Sequence, residues 1–243
     1  MSDFLCIFMK PKVLVGCPVA DYAMYSLKKY LEGVKALTYP NFDFFLVDNS
    51  KDDKLFEEIK SLGIDVAKTP YSEPARKRIV ESRNVIVEKM LKEGYDYFLS
   101  LEFDVIPPKD VVEMLLTHGK EIVSGVYFKE FRTLNQNGKL LKKEIMPLAY
   151  KSFGKSRVRR MRYNEVKGND LIDVRIVGLG CILIHREIFE KGIRFRYDSK
   201  KEGVFDDTNF CLDVAKEGYK IYMDNSVKCL HLVKEKNWDK IKK

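Results

Sequence analysis

A mostly parallel β-sheet covered by helices on both faces is the fold class this sequence predicts, and three observations point to it. Apolar runs of strand length alternate with segments of helical periodicity from residue 12 to residue 128, the order that builds strand–helix–strand units. The strand-like runs stop at turn-forming or proline-containing stretches at 18–22, 48–50 and 102–107. Right-handed crossovers bring such strand ends to one edge of the sheet, where ligands bind. Finally, 243 residues with 45% apolar and 33% charged side chains suit one sizeable α/β domain over 1–243 and exclude disordered or collagen-like chains.

Each element follows from its local pattern. Residues 12–18 read as a buried strand stopped by Pro18. Over 22–35, Ala23, Leu27, Tyr30, Leu31 and Val34 recur at helical spacing. Residues 42–47 form a second apolar run, ended by the turn-forming Asp48-Asn49-Ser50. A short helix over 54–62 meets Gly63, a residue suited to a left-handed cap, and 64–67 supplies a third strand. The spacing predicts a helix over 76–93 with Ile86, Val87, Met90 and Leu91 on its core stripe, then a fourth strand over 95–105 before Pro107-Pro108. A helix over 109–117 and a strand over 122–128 continue the alternation. The pattern breaks over 129–170, where Asn137-Gly138 is a hairpin signal. Strands over 171–177 and 181–184, a helix over 207–217 ended by Gly218, and strands over 219–223 and 227–232 close the chain. After them comes a charged tail containing Trp238.

The charge is local. Lys and Arg number 44 against 36 Asp and Glu, a net +8, and residues 129–170 hold twelve of the former and four of the latter, the whole excess. A basic flap of this kind attracts phosphates, anionic lipid heads or nucleic acid, or is simply a solvated loop. No apolar run approaches the ~18 residues of a membrane span, and the first ten residues make a poor signal peptide. Five scattered cysteines without a CxxC pair fit reduced thiols in a cytoplasmic protein.

Glu102-Phe103-Asp104 is the sharpest candidate for chemistry. In an extended strand, residues two apart share a face, and two carboxylates ending an apolar strand are costly unless solvated or bound to a cation such as Mg²⁺ or Mn²⁺. Asp206-Asp207 opens a predicted helix, either as an N-cap or as a carboxylate general base. His231 is a lone histidine in an apolar segment; His118 and His185 have no stronger claim. Gly178-Leu179-Gly180 is not a dinucleotide fingerprint, because its third glycine position, 183, is Leu.

In this order, the pieces resemble the GT-A fold of nucleotide-sugar glycosyltransferases, particularly the family-2-like group. The resemblance covers roughly 12–128 and 171–232: the first strand ending at Pro18, the turn Asp48-Asn49, Ser82-Arg83-Asn84, and Glu102-Phe103-Asp104 in place of a DxD motif. It continues with the segment 177–184, Asp206-Asp207 and a late histidine, His231. It implies a single catalytic domain, a Rossmann-like sheet and a basic hairpin or flap insertion at 129–170.

The implied reaction is metal-dependent transfer of a sugar from a UDP- or GDP-sugar to an acceptor hydroxyl. Asp104, His231 and Glu102 would hold Mn²⁺ or Mg²⁺, and Pro18, Asp48, Asn49, Arg83 and Glu102 would contact the nucleotide. Asp207, or else Asp206, would be the general base of an inverting mechanism. The basic flap then favours a glycan or lipid-linked acceptor, anionic in character, and contact with the cytoplasmic face of a membrane. Two other readings stand beside this one. A nucleotidyltransferase has a similar sheet but needs a glycine-rich basic loop where Pro18-Val19-Ala20-Asp21 stands. A nucleic-acid-binding protein would use 151–162, where Arg157, Arg159 and Arg160 lie among aromatics, but no recognised DNA- or RNA-binding motif accompanies them.

Overall fold

The computed structural model describes residues 10–154, 157–200 and 204–232. Its first half alternates strand and helix: β1 (Val13–Val19), a 3₁₀ turn (Asp21–Ser26), α1 (Leu27–Lys35), β2 (Phe42–Asp48), α2 (Lys54–Ser61) and β3 (Asp65–Lys68). There follow α3 (Ala75–Lys92), β4 (Tyr97–Leu101), β5 (Val105–Ile106), α4 (Val111–Leu116) and β6 (Ile122–Val126). The second half holds β7 (Phe128–Leu134), β8 (Leu140–Pro147), β9 (Ala149–Phe153), β10 (Arg157–Arg160), β11 (Leu171–Val174) and β12 (Ile176–Val177). It ends with β13 (Cys181–His185), α5 (Arg186–Glu190), α6 (Asp206–Lys216), β14 (Ile221–Lys228) and β15 (Leu230–His231).

Eight strands form the central sheet in the order β11-β14-β6-β13-β4-β1-β2-β3. Strands β1 to β4, β6 and β14 run one way, while β13 and β11 run against them. The two faces carry separate cores, because neighbouring residues of each strand point to opposite sides. Val13, Val15 and Cys17 of β1 pack with Leu27, Tyr30, Leu31 and Val34 of α1 and with α2 and α4. Leu14 joins Val80, Ile86, Val87 and Met90 of α3 and Phe210 and Val214 of α6 on the other side. Burial on both faces is what such a sheet requires.

Several sequence-based boundaries shift. The strand expected over 95–105 ends at Leu101, and the chain turns before β5, with the Val105 amide donating to the Glu102 carbonyl at 2.8 Å. The run 171–177 splits into β11 in the main sheet and β12 in a three-stranded sheet, because the Arg175 amide reaches the Tyr150 carbonyl at 2.8 Å. The expected strands over 219–223 and 227–232 merge into β14, whose pairing with β6 shifts register between Met223 and Lys228, followed by β15. The helix expected over 22–35 begins as the 3₁₀ turn, and α5 had no sequence signal. The basic segment is two consecutive hairpins: β7–β8, turning at Gly138 with φ +75°, and β9–β10. Among the described residues no helix is long and apolar enough to cross a membrane. Trp238 and Cys6 lie outside the described residues; Cys17, Cys181, Cys211 and Cys229 are buried and free.

Candidate active site

A cleft of about 180 Å³ with a mixed polar and apolar lining opens at the carboxyl ends of β1, β2 and β4, and Pro18, Asn49, Arg83, Glu102 and Asp104 all line it. Glu102 and Asp104 do share this cleft, although they are carried on the turn after β4 and not on an extended strand. Because β13 runs antiparallel, it presents its first end here, and the Glu102 amide donates to the Gly180 carbonyl at 3.0 Å. Tyr22, Tyr25 and Ile79 complete the wall. The two tyrosines sit on the 3₁₀ turn that replaces the first turns of the expected helix, which is why helical periodicity hid them.

Arg83 is the organising cation. It is buried on α3 beside Ser82, among the apolar Val80, Ile86, Val87 and Met90. Its Nε donates to Asp206 Oδ2 at 2.7 Å, Nη1 to Ser100 Oγ at 2.8 Å and Nη2 to Glu102 Oε1 at 2.6 Å. Burial opposes the guanidinium charge, but Asp206 and Glu102 more than offset it and hold the proton tightly. Burial pushes the Glu102 carboxyl above its ordinary value against the pull of Arg83, and the Asp104 and Asp206 charges add to the rise.

Asp48 does not line the cleft. Its side chain is fully buried and accepts from the Ser50 amide at 2.8 Å, the Ser50 hydroxyl at 2.5 Å and Lys68 Nζ at 2.7 Å. It shapes the turn that leaves Asn49 at the cleft wall, an Asx-type role that the turn-forming sequence allows.

Asp104 and His231 meet although they are 127 residues apart. Strand β15 pairs with β5, setting His231 opposite Val105, and the Leu232 amide donates to the Asp104 carbonyl at 2.6 Å. His231 Nδ1 lies 2.8 Å from the Phe128 carbonyl, an acceptor only, so Nδ1 carries a proton. Nε2 faces Asp104 Oδ2 at 3.2 Å. In the neutral ring these are two acceptors face to face, an arrangement that calls for a proton or a cation between them. Burial lowers the imidazole's proton affinity, yet the Asp104 hydrogen bond and charge carry its pKa above the ordinary value. The fixed Nδ1 is also what a metal-ligating histidine uses to orient its other nitrogen. Among the described residues no group of three or more His, Cys, Asp or Glu converges as a metal cluster, since Glu102 turns to Arg83. Asp104 and His231 could offer a carboxylate and an imidazole to an ion that takes its other ligands from phosphate oxygens and water.

No family model matches the sequence, and no curated protein resembles it detectably. Its structure is similar to that of the mannosyltransferase PcManGT from Pyrobaculum calidifontis in complex with GDP-Man and Mn²⁺: TM-score 0.60, 15% identity, over 96% of this chain and 60% of that one. It is also similar to GalNAc-T7 with UDP, GalNAc and Mn²⁺: TM-score 0.61, 11% identity, over 92% of this chain and 44% of that one. The fold is of the GT-A type. The chain spans 60% and 44% of those two neighbours' lengths.

Within this GT-A fold, the first turn of α6 carries both predicted acids in different states. Asp206 is taken by Arg83. Asp207 Oδ1 accepts from the Thr208 amide at 2.5 Å and the Thr208 hydroxyl at 3.1 Å, and among the described residues it pairs with no side-chain cation. Burial, with the Asp206 charge behind it, raises the Asp207 pKa above the usual carboxylate value. The glycine segment has a steric reason. A Cβ on Gly178 would lie 2.0 Å from Tyr127 Oη, and one on Gly180 would lie 2.7 Å from Tyr127 Cζ. Buried Tyr127 fills that space, accepts from the Gly180 amide at 3.1 Å and sets its ring edge-on to His231 at 5.4 Å. Sequence reasoning missed Tyr127, whose only signal is that two glycines in an apolar segment imply a close neighbour.

Proposed function

We propose that this protein is a divalent-metal-dependent glycosyltransferase that moves a sugar from a nucleotide-sugar donor to an acceptor hydroxyl. One observation carries the reading: Arg83, Glu102 and Asp104 line one cleft at the edge of a GT-A sheet, and there Asp104 meets His231 and Arg83 bridges Glu102 to Asp206. Both structural neighbours hold a nucleotide or nucleotide sugar with Mn²⁺, which supports a UDP- or GDP-sugar as donor.

In this reading the nucleotide lies against Pro18, Asn49, Tyr22 and Tyr25, with its diphosphate toward Asp104 and His231. A bound Mg²⁺ or Mn²⁺ supplies positive charge against the diphosphate leaving group. Arg83 fixes Glu102 and Asp206 and cancels one of their two negative charges, so the charge left on the cleft floor, with Asp104, favours a divalent cation between it and the diphosphate. With Asp206 occupied, Asp207 is the acid available to take the acceptor proton, and its raised pKa brings it nearer the range where a base works well. Proton removal by Asp207 as the acceptor attacks from the face opposite the leaving group gives inversion.

The test is a panel of UDP- and GDP-sugars with and without Mn²⁺, followed by mass spectrometry of released nucleotide and glycosylated acceptors. The expected result is Mn²⁺-dependent nucleotide release from one donor class. Absence of nucleotide binding across the panel, with metal present, overturns the proposal.

A further inference from the structure

A second cleft, of about 600 Å³, lies on the other side of His231 and is apolar: Ile106, Pro107, Phe128, Ile145, Tyr163 and Leu230 contribute to its walls. That volume and lining are typical of small-molecule sites, which run to ~300–1,000 Å³. Phe128 and Ile145 come from one face of the β7–β8 hairpin, since Phe128 stands opposite Pro147 and Ile145 opposite Glu130. The Tyr163 ring lies 5.6 Å from that of Phe128. At the mouth, Ile145 and Tyr163 remain 36% and 57% exposed, and large apolar side chains at that exposure mark a contact surface when they cluster.

Among the described residues the one lysine on the wall is Lys228, whose Nζ reaches the Asn225 carbonyl at 2.9 Å and the Gly168 carbonyl at 3.4 Å. Neither neighbour is a carboxylate, so its charge is not cancelled by them. The hairpin itself belongs to the segment that carries the chain's whole +8. A peptide would need partners for its backbone groups, and here Pro107 and Pro108 offer no N–H.

We infer that this cleft holds the aliphatic tail of an amphiphilic acceptor with an anionic head, a phosphorylated lipid. The word acceptor rests on the transferase reading above; the cleft stands on its own residues. The nucleotide cleft and the apolar cleft meet at the Asp104–His231 pair, since Asp104 lines the first and His231 the second. An amphiphile with its tail between Ile145 and Tyr163 therefore brings its head to the edge of the nucleotide cleft. The basic segment draws that anionic head in, and the field of its cations extends across about a Debye length, ~10 Å at 0.1 M salt.

The experiment is calorimetric titration of the full chain with dodecyl phosphate below its micellar concentration, alongside butyl phosphate, inorganic phosphate and dodecyl maltoside. Each buried methylene is worth about fourfold in affinity, so dodecyl phosphate should bind at least 100-fold more tightly than butyl phosphate, and more tightly than dodecyl maltoside. Ile145→Glu and Tyr163→Ser, both at exposed positions, should each weaken dodecyl phosphate at least tenfold and leave nucleotide binding with Mn²⁺ unchanged. Equal affinity for the two alkyl phosphates, or for dodecyl phosphate and the maltoside, overturns the inference. A dimer dispersed by Ile145→Glu, with no alkyl phosphate bound, overturns it in favour of self-association. Dodecyl phosphate binding by a protein that takes no nucleotide keeps the tail cleft and removes the transferase reading. Nucleotide binding without chain-length preference removes the tail cleft alone.

Discussion

Arg83 and Glu165 sit in charge clusters that mirror one another. Arg83 is a cation between two carboxylates, Glu102 and Asp206, with its side chain 3% exposed. Glu165 is a carboxylate between two cations on the second basic hairpin: it accepts from Arg159 Nη1 at 2.7 Å and Nη2 at 2.8 Å, pairs with Lys151, and is 18% exposed. The geometry is equally good in both, but their consequences differ. Removing Arg83 leaves Asp206, 13% exposed, and Glu102, 34% exposed, without the buried cation between them, whereas removing Glu165 leaves Arg159 and Lys151, 36% and 38% exposed. Breaking a buried ion pair costs ~3–5 kcal/mol, while exposed pairs are worth ~0–1 kcal/mol. The core of the site is thus held by charge, and the flap is only trimmed by it.

The largest effect expected is that of Arg83→Met. It should cost about 3 kcal/mol and lower the thermal midpoint by roughly 10 °C. Burial already raises the folded-state pKa of Glu102 and Arg83 pulls it down, so without Arg83 it lies further above the unfolded value and the deficit should shrink as pH falls and protonates that carboxylate. A loss no greater than that of an exposed arginine would erase the contrast between the clusters.

Next comes Asp207→Asn, which should depress turnover by ~10²-fold or more with donor affinity unchanged in calorimetry. Because the folded-state pKa of Asp207 is raised, its contribution to stability is present below the unfolded-state pKa and lost as pH rises through the folded one. Above that pH the Asn variant should be the more stable protein, even though wild-type turnover rises over the same range. If Asp206→Asn alone abolishes turnover without unfolding, the division of labour set by Arg83 is wrong.

Glu165→Gln should cost at most ~1 kcal/mol globally. Its mark should be local, as faster proteolysis of the β9–β10 hairpin. The Arg159 hydrogen bonds hold the Glu165 carboxyl well below the usual range despite opposing burial. That stabilisation is full above the unfolded-state pKa and disappears only as strong acid titrates the folded group. Hairpin loosening in the wild type near neutral pH would contradict this.

The smallest effect belongs to exposed Arg157 on β10. Arg157→Ser should leave stability within ~0.5 kcal/mol and reduce use of an anionic acceptor by up to about fivefold at low salt, with no change at high salt. Loss of donor release in parallel would move that charge to the diphosphate.

The alternation of strand and helix up to residue 128 was legible because each element there is long enough for its period to repeat. So were the pairing of Glu102 with Asp104 and the glycine-ended helices: Gly63, Gly94 and Gly218 have φ of +73°, +73° and +85°. The direction of β13 was not legible, since a five-residue apolar run carries no sense of up or down. Nor was the split at Arg175, which depends on a carbonyl of another sheet. The burial of Asp48 against Lys68 was not legible, because nothing local announces that pairing. The link from Arg83 to Asp206 spans 123 residues and exists only in three dimensions. Its trace in the sequence was an arginine at helical spacing from Ile86, Val87 and Met90.

The ribbon that joins Asp104 to His231 has two residue pairs, Leu230 with Ile106 and His231 with Val105. Hydrogen exchange measures stability segment by segment, and a pairing this short opens far more cheaply than the sheet behind it. If Asp104 and His231 hold the metal as proposed, its affinity would accrue to the ribbon and not to the whole fold. Added Mn²⁺ should slow amide exchange at Val105 and Leu232 while leaving Leu99, in the middle of β4, unchanged. Strand β4 would then hold its shape through every cycle of metal loss and rebinding, and the chain's last described residues would act as a hinged clasp upon it.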